Sequence, residues 1–192
     1  MPSSPRTARS RSSGPAAAPA VAVVVSRYNA SITDRLLSGA REAWAEAGWG
    51  GQPEAMRVVP APGSFELPAL ALAAAGTGRF RGVLALGCLI KGETSHDRYI
   101  AEAVAHGLVS VTIATGVPCA FGVLTVDTPG QADDRAGGSE GNKGADSMLA
   151  LLDTITQIDA LRAGGKRSGV PGFGRSIRDK AKRPRTGGRE AR

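Results

Sequence analysis

Short apolar runs alternate along the chain with longer stretches in which apolar positions recur every three or four residues. VAVVV at 21–25, MRVVP at 56–60, GVLALGCLI at 82–90 and PCAFGVLTV at 118–126 are the apolar runs. Continuous, β-branched and bounded by polar loops, they predict strands covered on both faces. The intervening stretches predict helices. Ile32, Leu36, Ala40, Ala43 and Ala47 recur at helical spacing, with Ser31 as the expected N-cap, Asp34 completing a capping box and Gly48 as the stop. LPALALAAAG predicts a helix ended by Gly76, HDRYIAEAVAHGLVSVTIATG a long helix, and DTPGQADDRAG a short helix and turn. In the final helix Met148, Leu151, Leu152, Ile155 and Ile158 fall along one side.

Alternation of buried-type strands with helices predicts crossovers onto a parallel sheet, hence an α/β protein with a three-layer αβα sandwich, flavodoxin-like in character. Ligands of such sheets bind beyond the carboxyl ends of the strands. The loops SRYN, PGSFE, KGETSH and DTPGQ all follow strands, so the unusual residues gather where this architecture places a site. The first strand is not followed by GxGxxG, and GxxxxGK[ST] is absent from the chain, so dinucleotide and P-loop readings lose support.

Charge divides the 192 residues into three parts. Residues 1–19 carry three Arg and no acid, and residues 163–192 carry ten Lys or Arg against Asp179 and Glu190. The segment between holds eleven basic and fifteen acidic residues, so the overall net charge of +7 belongs to the ends. A folded domain is therefore expected over 20–162, between a disordered N-terminal arm and a disordered basic tail, because the ends hold too little apolar residue to offset the entropy of ordering. Basic tails also attract nucleic acid through phosphate contacts, which stays as a minor alternative for 163–192. The Arg- and Ser-rich start has the composition of a transit peptide but no clear amphipathic run. Cys88 and Cys119 lie in apolar runs, as expected of buried free thiols in a reducing compartment, the cytoplasm. Neither CxxC nor a Cys/His spacing for a metal occurs, and the chain has no apolar stretch of membrane-spanning length.

Several loop residues carry candidate chemistry. In GETSH, Gly92 permits close backbone approach, and Thr94 or Ser95 can cap the long helix. Free N–H groups at a helix start beside a hydroxyl suit a phosphate. His96 falls in the first turn, where the helix dipole disfavours imidazolium and a neutral ring can exchange protons with a substrate. The plain alternative is that Ser95 only caps and His96 is a surface residue; His106, inside the helix, is expected to be structural. Arg135 suits a phosphate clamp, or equally a surface pair with Asp133 or Asp134. Lys143 sits at the start of the last helix, a disfavoured place for a cation that hints at a partner. Tyr28 and Phe65 can stack on a planar heterocycle or act as core lids. Glu66 can accept from several hydroxyls or simply favour a helix start, and Asn29 can bridge a ligand or initiate a turn.

SRYNASITDRLLSGA, VPAPGSFELP, LGCLIKGETSHDRYIAEAVAHGL, FGVLT and the RAG-to-GNKG stretch occur in that order. Together they resemble the lumazine synthase family across residues 20–162 and leave both tails uncovered. The resemblance implies condensation of 5-amino-6-(D-ribitylamino)uracil with 3,4-dihydroxy-2-butanone 4-phosphate, giving 6,7-dimethyl-8-ribityllumazine, phosphate and water without a metal or redox cofactor. It implies that Tyr28 stacks on the pyrimidine, with Asn29 beside it. Ser64, Phe65, Glu66 and the backbone of Cys88, Leu89 and Ile90 would hold ring and ribityl chain. Glu93 and Thr94 would contact the phosphate sugar, His96 would transfer protons, and Arg135, with Lys143 near it, would bind the phosphate. Phe121 would come from an adjacent subunit of a homopentamer or a multiple of pentamers. A functional link to riboflavin synthase also follows.

The chain departs from the family pattern in three places. Tyr28 stands where Phe or Trp is more usual, Ser139 and Glu140 stand where many relatives carry a Lys, and the basic C-terminal tail is additional. The alternatives on the same fold are a non-catalytic flavin or lumazine carrier and a shell-forming protein defined by its tails. A carrier would keep Tyr28, Phe65 and Glu66 but would have no need of His96 or Arg135.

Overall fold

The computed structural model describes residues 18–164. The arm expected at 1–19 and the tail expected at 163–192 lie outside that range, apart from the two innermost residues of each. Four strands form one parallel sheet: β1 (Val21–Ser26), β2 (Met56–Ala61), β3 (Gly82–Ile90) and β4 (Cys119–Val126), in the order β2-β1-β3-β4. Helices α1 (Ala30–Trp44), α2 (Leu67–Gly76), α3 (His96–Thr115), α4 (Pro129–Arg135) and α5 (Lys143–Arg162) complete the three layers. This is the flavodoxin-like arrangement expected from the alternation, with the strand order reversing between β1 and β3.

The continuous apolar runs serve two cores at once, because successive side chains of a strand point to opposite faces. Val21, Val23 and Val25 of β1, with Leu84, Leu86 and Cys88 of β3, pack against Leu36, Ala40, Met148 and Leu152 of α1 and α5. Ala22, Val24, Val83, Ala85 and Leu89 pack against Leu67, Ala71, Val104 and Leu108 of α2 and α3. Gly87 lies on β3 where a Cβ would stand 2.7 Å from Ser64 Oγ, so its lack of a side chain lets the loop before α2 close onto the sheet.

The start of α1 differs from expectation. Asn29, not Ser31, is the N-cap, in the left-handed region at φ 58° and ψ 46°, and its side chain caps nothing. The chain must turn sharply out of β1, and Asn is among the few residues that tolerate this conformation. Asn29 Nδ2 instead donates to Cys88 O at 2.9 Å, tying the loop to β3. Ser31 is an exposed residue within the helix. At the other end, Gly48 breaks the helix at φ 93°, as expected, but through a π-helical turn (Ala45–Trp49) that lets Trp44 Nε1 donate to Trp49 O at 3.0 Å. Cys88 is buried, whereas Cys119 is only half-buried.

A two-residue turn links β5 (Ala136–Gly138) to β6 (Gly141–Asn142), a small antiparallel pair that sequence periodicity did not predict. Asn142 then caps α5, its Oδ1 accepting from Gly144 N at 2.8 Å and Ala145 N at 3.2 Å while its Nδ2 donates to Arg35 O at 2.8 Å. Helices α1 and α5 approach so closely that a Cβ at Gly144 would lie 1.9 Å from Leu36 O. The outer face of α3 is left uncovered by the described residues: Tyr99, Val109 and Ile113 are exposed, and only Val104, Leu108 and Val111 of that helix are buried. Among the described residues no helix is long and apolar enough to cross a membrane.

Candidate active site

The loops after β1, β2 and β3, with the first turn of α3, surround a cleft of about 490 Å³ at the carboxyl ends of the strands. Its position is set by the reversal of strand order at β1/β3, which parts the helices on either side and leaves a crevice above the sheet. Eleven of the residues singled out from sequence line it: Tyr28, Asn29, Ser64, Phe65, Glu66, Cys88, Leu89, Ile90, Gly92, Thr94 and His96. Tyr28 and Phe65 flank it with most of their surface uncovered, at 70% and 62% exposure, so neither serves as a core lid. Asn29 lines the cleft while its amide is held on Cys88 O.

His96 is the first residue of α3, and Ser95 is the N-cap without a side-chain cap bond. The helix begins by bonding Arg98 N and Tyr99 N to Ser95 O. The N–H groups ahead of them belong to the unpaired set at a helix start. Thr94 reaches the cleft, but Glu93 is exposed and is not among the lining residues.

Phe121, Arg135 and Lys143 lie elsewhere. They share a second groove of about 280 Å³ along the open edge of β4, with Gly122–Val126 and Ser147. The two linings have no residue in common. Arg135 ends α4, its guanidinium donating to Gln131 O at 3.1 Å. Of the surface pairs expected as its alternative, with Asp133 or Asp134, neither forms; Asp133 bonds Arg35 at 2.6 Å. Lys143 does have a carboxylate partner, Asp146 at 2.8 Å.

The charges of the two sites are opposite. The cleft contains the carboxylates Glu66 and Asp97 and no Lys or Arg. The groove contains Arg135 and Lys143 and no acid. Burial pushes the Cys88 thiol up to about 11, aided by the nearby Asp133 carboxylate, so it stays a neutral wall group. Cys119 is raised by burial as well. Among the described residues no cluster of three or more His, Cys, Asp or Glu gathers as a metal site. Asp97, Gly63 and Ile100 also line the cleft and were not singled out from sequence. An Asp in the first turn of a helix already has an ordinary electrostatic explanation, so its position alone carries no functional signal.

A mixed aromatic and polar cleft at the switch point of a parallel sheet places the chain among α/β proteins of the doubly wound class, whose ligands bind at that point. The particular family follows from likeness in sequence. The model of the family described as 6,7-dimethyl-8-ribityllumazine synthase matches residues 18–159, and the chain belongs to that family. A 6,7-dimethyl-8-ribityllumazine synthase of Xanthomonas oryzae pv. oryzae is 43% identical over 140 residues, 73% of this chain and 90% of the relative. Proteins of the same name from Edwardsiella ictaluri and Sulfurovum sp. are 45% and 41% identical, covering 74% and 73% of this chain and 91% and 89% of their own lengths.

Proposed function

We propose that the chain condenses 5-amino-6-(D-ribitylamino)uracil with 3,4-dihydroxy-2-butanone 4-phosphate to 6,7-dimethyl-8-ribityllumazine, releasing phosphate and water, the penultimate step of riboflavin biosynthesis. The observation that carries this reading is that one cleft collects aromatic faces, hydrogen-bonding groups and a single imidazole in a chain of this family. Tyr28 and Phe65 offer π faces to the pyrimidine. Ser64, Glu66 and the backbone of Cys88–Ile90 hold the ring and the ribityl hydroxyls. His96 exchanges protons as the imine forms and phosphate leaves. Most of the acceleration comes from holding two reactants in register, worth roughly 7–11 kcal/mol in favourable cases.

The phosphate needs a cation that the cleft does not contain, and the cations are in the β4 groove. The working site therefore joins the cleft of one subunit to the groove of the next, with Arg135 as the phosphate clamp, Lys143 near it and Phe121 closing over the ring. A charged phosphate beside Glu66 and Asp97 alone would be repelled, whereas Arg135 supplies charge-assisted hydrogen bonds. The uncovered apolar face of α3 supports assembly, since exposed patches of this kind mark contact surfaces. The assembly proposed is a homopentamer or a multiple of pentamers in the cytoplasm, passing its product to riboflavin synthase.

The test is a cofactor-free assay. Purified protein is mixed with the ribitylamino-uracil and the butanone phosphate, and the lumazine is followed by absorbance and fluorescence. Product that requires both substrates supports the reading. No product from folded, assembled protein overturns it in favour of a carrier, which would bind lumazine or flavin without forming it.

A further inference from the structure

Among the described residues only two buried side-chain polar atoms lack a hydrogen-bond partner, Ser64 Oγ and Asp97 Oδ1. Both residues line the same cleft. Ser64 is already a substrate residue in the proposed reaction; Asp97 is not, and its chemistry is the more demanding. A carboxylate has no proton to donate, so an oxygen shut from water needs an N–H or O–H donor brought to it. Leaving such a group unpaired is costly, and native structures do so rarely. Its place in the first turn of α3 offsets part of that cost through the helix dipole, but leaves the oxygen without a bond.

The partner must be a donor, and it must not be anionic. Glu66 already places one negative charge in the cleft, and no cation lines it. In the proposed shared site the neighbouring subunit's Arg135 is committed to the phosphate, so an anion directly against Asp97 is disfavoured. The remaining ligand is the neutral one, whose ring nitrogens, amines and polyol hydroxyls are donors. We propose that Asp97 is a substrate-binding residue that accepts a hydrogen bond from an N–H or O–H of the ribitylamino-uracil, next to His96 on the same helical turn, and so distinguishes the ring-and-polyol substrate from the phosphate sugar. This rests on the enzymatic reading above. Ser64 Oγ, the second orphan, can bond the same ligand in either direction, because a hydroxyl both donates and accepts.

The experiment uses the full-length assembled protein with Asp97→Ala and Asp97→Asn. KM is measured for each substrate in turn, together with kcat and the melting temperature of the substrate-free protein. The expected result for Asp97→Ala is a KM for the ribitylamino-uracil raised about 10- to 100-fold, the loss of a hydrogen bond to a charged group. KM for the butanone phosphate stays within about twofold, and Asp97→Asn, which keeps an acceptor oxygen, falls between. The melting temperature does not fall, because truncation removes an unpaired buried oxygen in the free protein. Unchanged KM for the ribitylamino-uracil, or an equal rise for both substrates, overturns the assignment. Failure of the enzymatic reading is separable: if wild-type protein makes no lumazine, direct titration with the ribitylamino-uracil alone still decides Asp97, by weaker binding in Asp97→Ala or by its absence of effect.

Discussion

His96 stands on the first residue of α3 and reaches the cleft, while Arg135 lies at the end of α4 in the β4 groove. Their losses should therefore differ in kind. His96→Ala removes the proposed proton relay and leaves the cleft, so turnover should fall by about 10²–10⁴-fold without vanishing. Arg135→Ala removes the charge proposed to face the phosphate, so KM for the butanone phosphate should rise and kcat/KM should fall further than in His96→Ala. Steady-state kinetics of both variants check this; an unchanged affinity for the phosphate sugar in Arg135→Ala would sink that assignment. Cys88 gives a prediction in pH. Its thiol is raised from 9.0 to about 11, so the folded protein holds the proton through a range where an ordinary thiol has lost it. Stability gained from the neutral buried thiol should be fully present below about pH 9 and lost as pH rises through about 11. Urea unfolding across that range should show a decline that Cys88→Ala lessens. At this scale the sequence was informative where an aromatic, hydroxyl or imidazole followed a strand, as Tyr28, Phe65 and His96 do. It was silent at Asp97, because only tertiary burial turns a helix-favouring carboxylate into an unpaired one. It misplaced the cap of α1, because Asn29 is chosen for its backbone conformation and its bond to Cys88, not for capping.

Among elements, the junction of α1 with α5 carries the strictest requirement. Asn142 makes two cap bonds to α5 and one to the backbone of α1, so Asn142→Ala should destabilise the fold by about 1–2 kcal/mol from the cap, and by more from the orphaned Arg35 carbonyl. Gly144→Ala should be worse, since its Cβ would meet the Leu36 backbone, which cannot move aside as a flexible side chain can. Chemical denaturation of both variants measures this, and equal stability for Gly144→Ala and the wild type would contradict the close approach. The four strands of the sheet were legible because buried parallel strands read as unbroken apolar runs: the run at 82–90 is β3 end to end. The β5–β6 pair was not, because strands of three and two residues, Ala-Gly-Gly and Gly-Asn, have no periodicity to detect and are joined by the turn at Ser139 and Glu140. The π-helical turn was equally hidden, since it depends on Trp44 and Trp49 meeting at 5.2 Å between ring centroids.

For the whole molecule, a single chain separates the parts that the proposed reaction joins. Acidic cleft and basic groove have disjoint linings, and the apolar face of α3 has no cover among the described residues. The proposed assembly would account for these facts together, because one contact can bury apolar surface and bring Arg135 to a neighbour's His96. The separation of cleft from groove was not readable from residue order: Phe121 lies within β4 and Arg135 at the end of α4, and only the edge position of β4 places them away from the cleft. The most direct measurement is subunit complementation. His96→Ala and Arg135→Ala chains are unfolded separately, mixed in equal amounts and reassembled, and lumazine formation is assayed against each variant alone. A site shared between subunits predicts that about one quarter of wild-type activity returns, since random pairing restores both residues at one contact in four. Activity no greater than the average of the two variants, in mixed assemblies of confirmed composition, would mean that His96 and Arg135 serve one chain and would contradict the account.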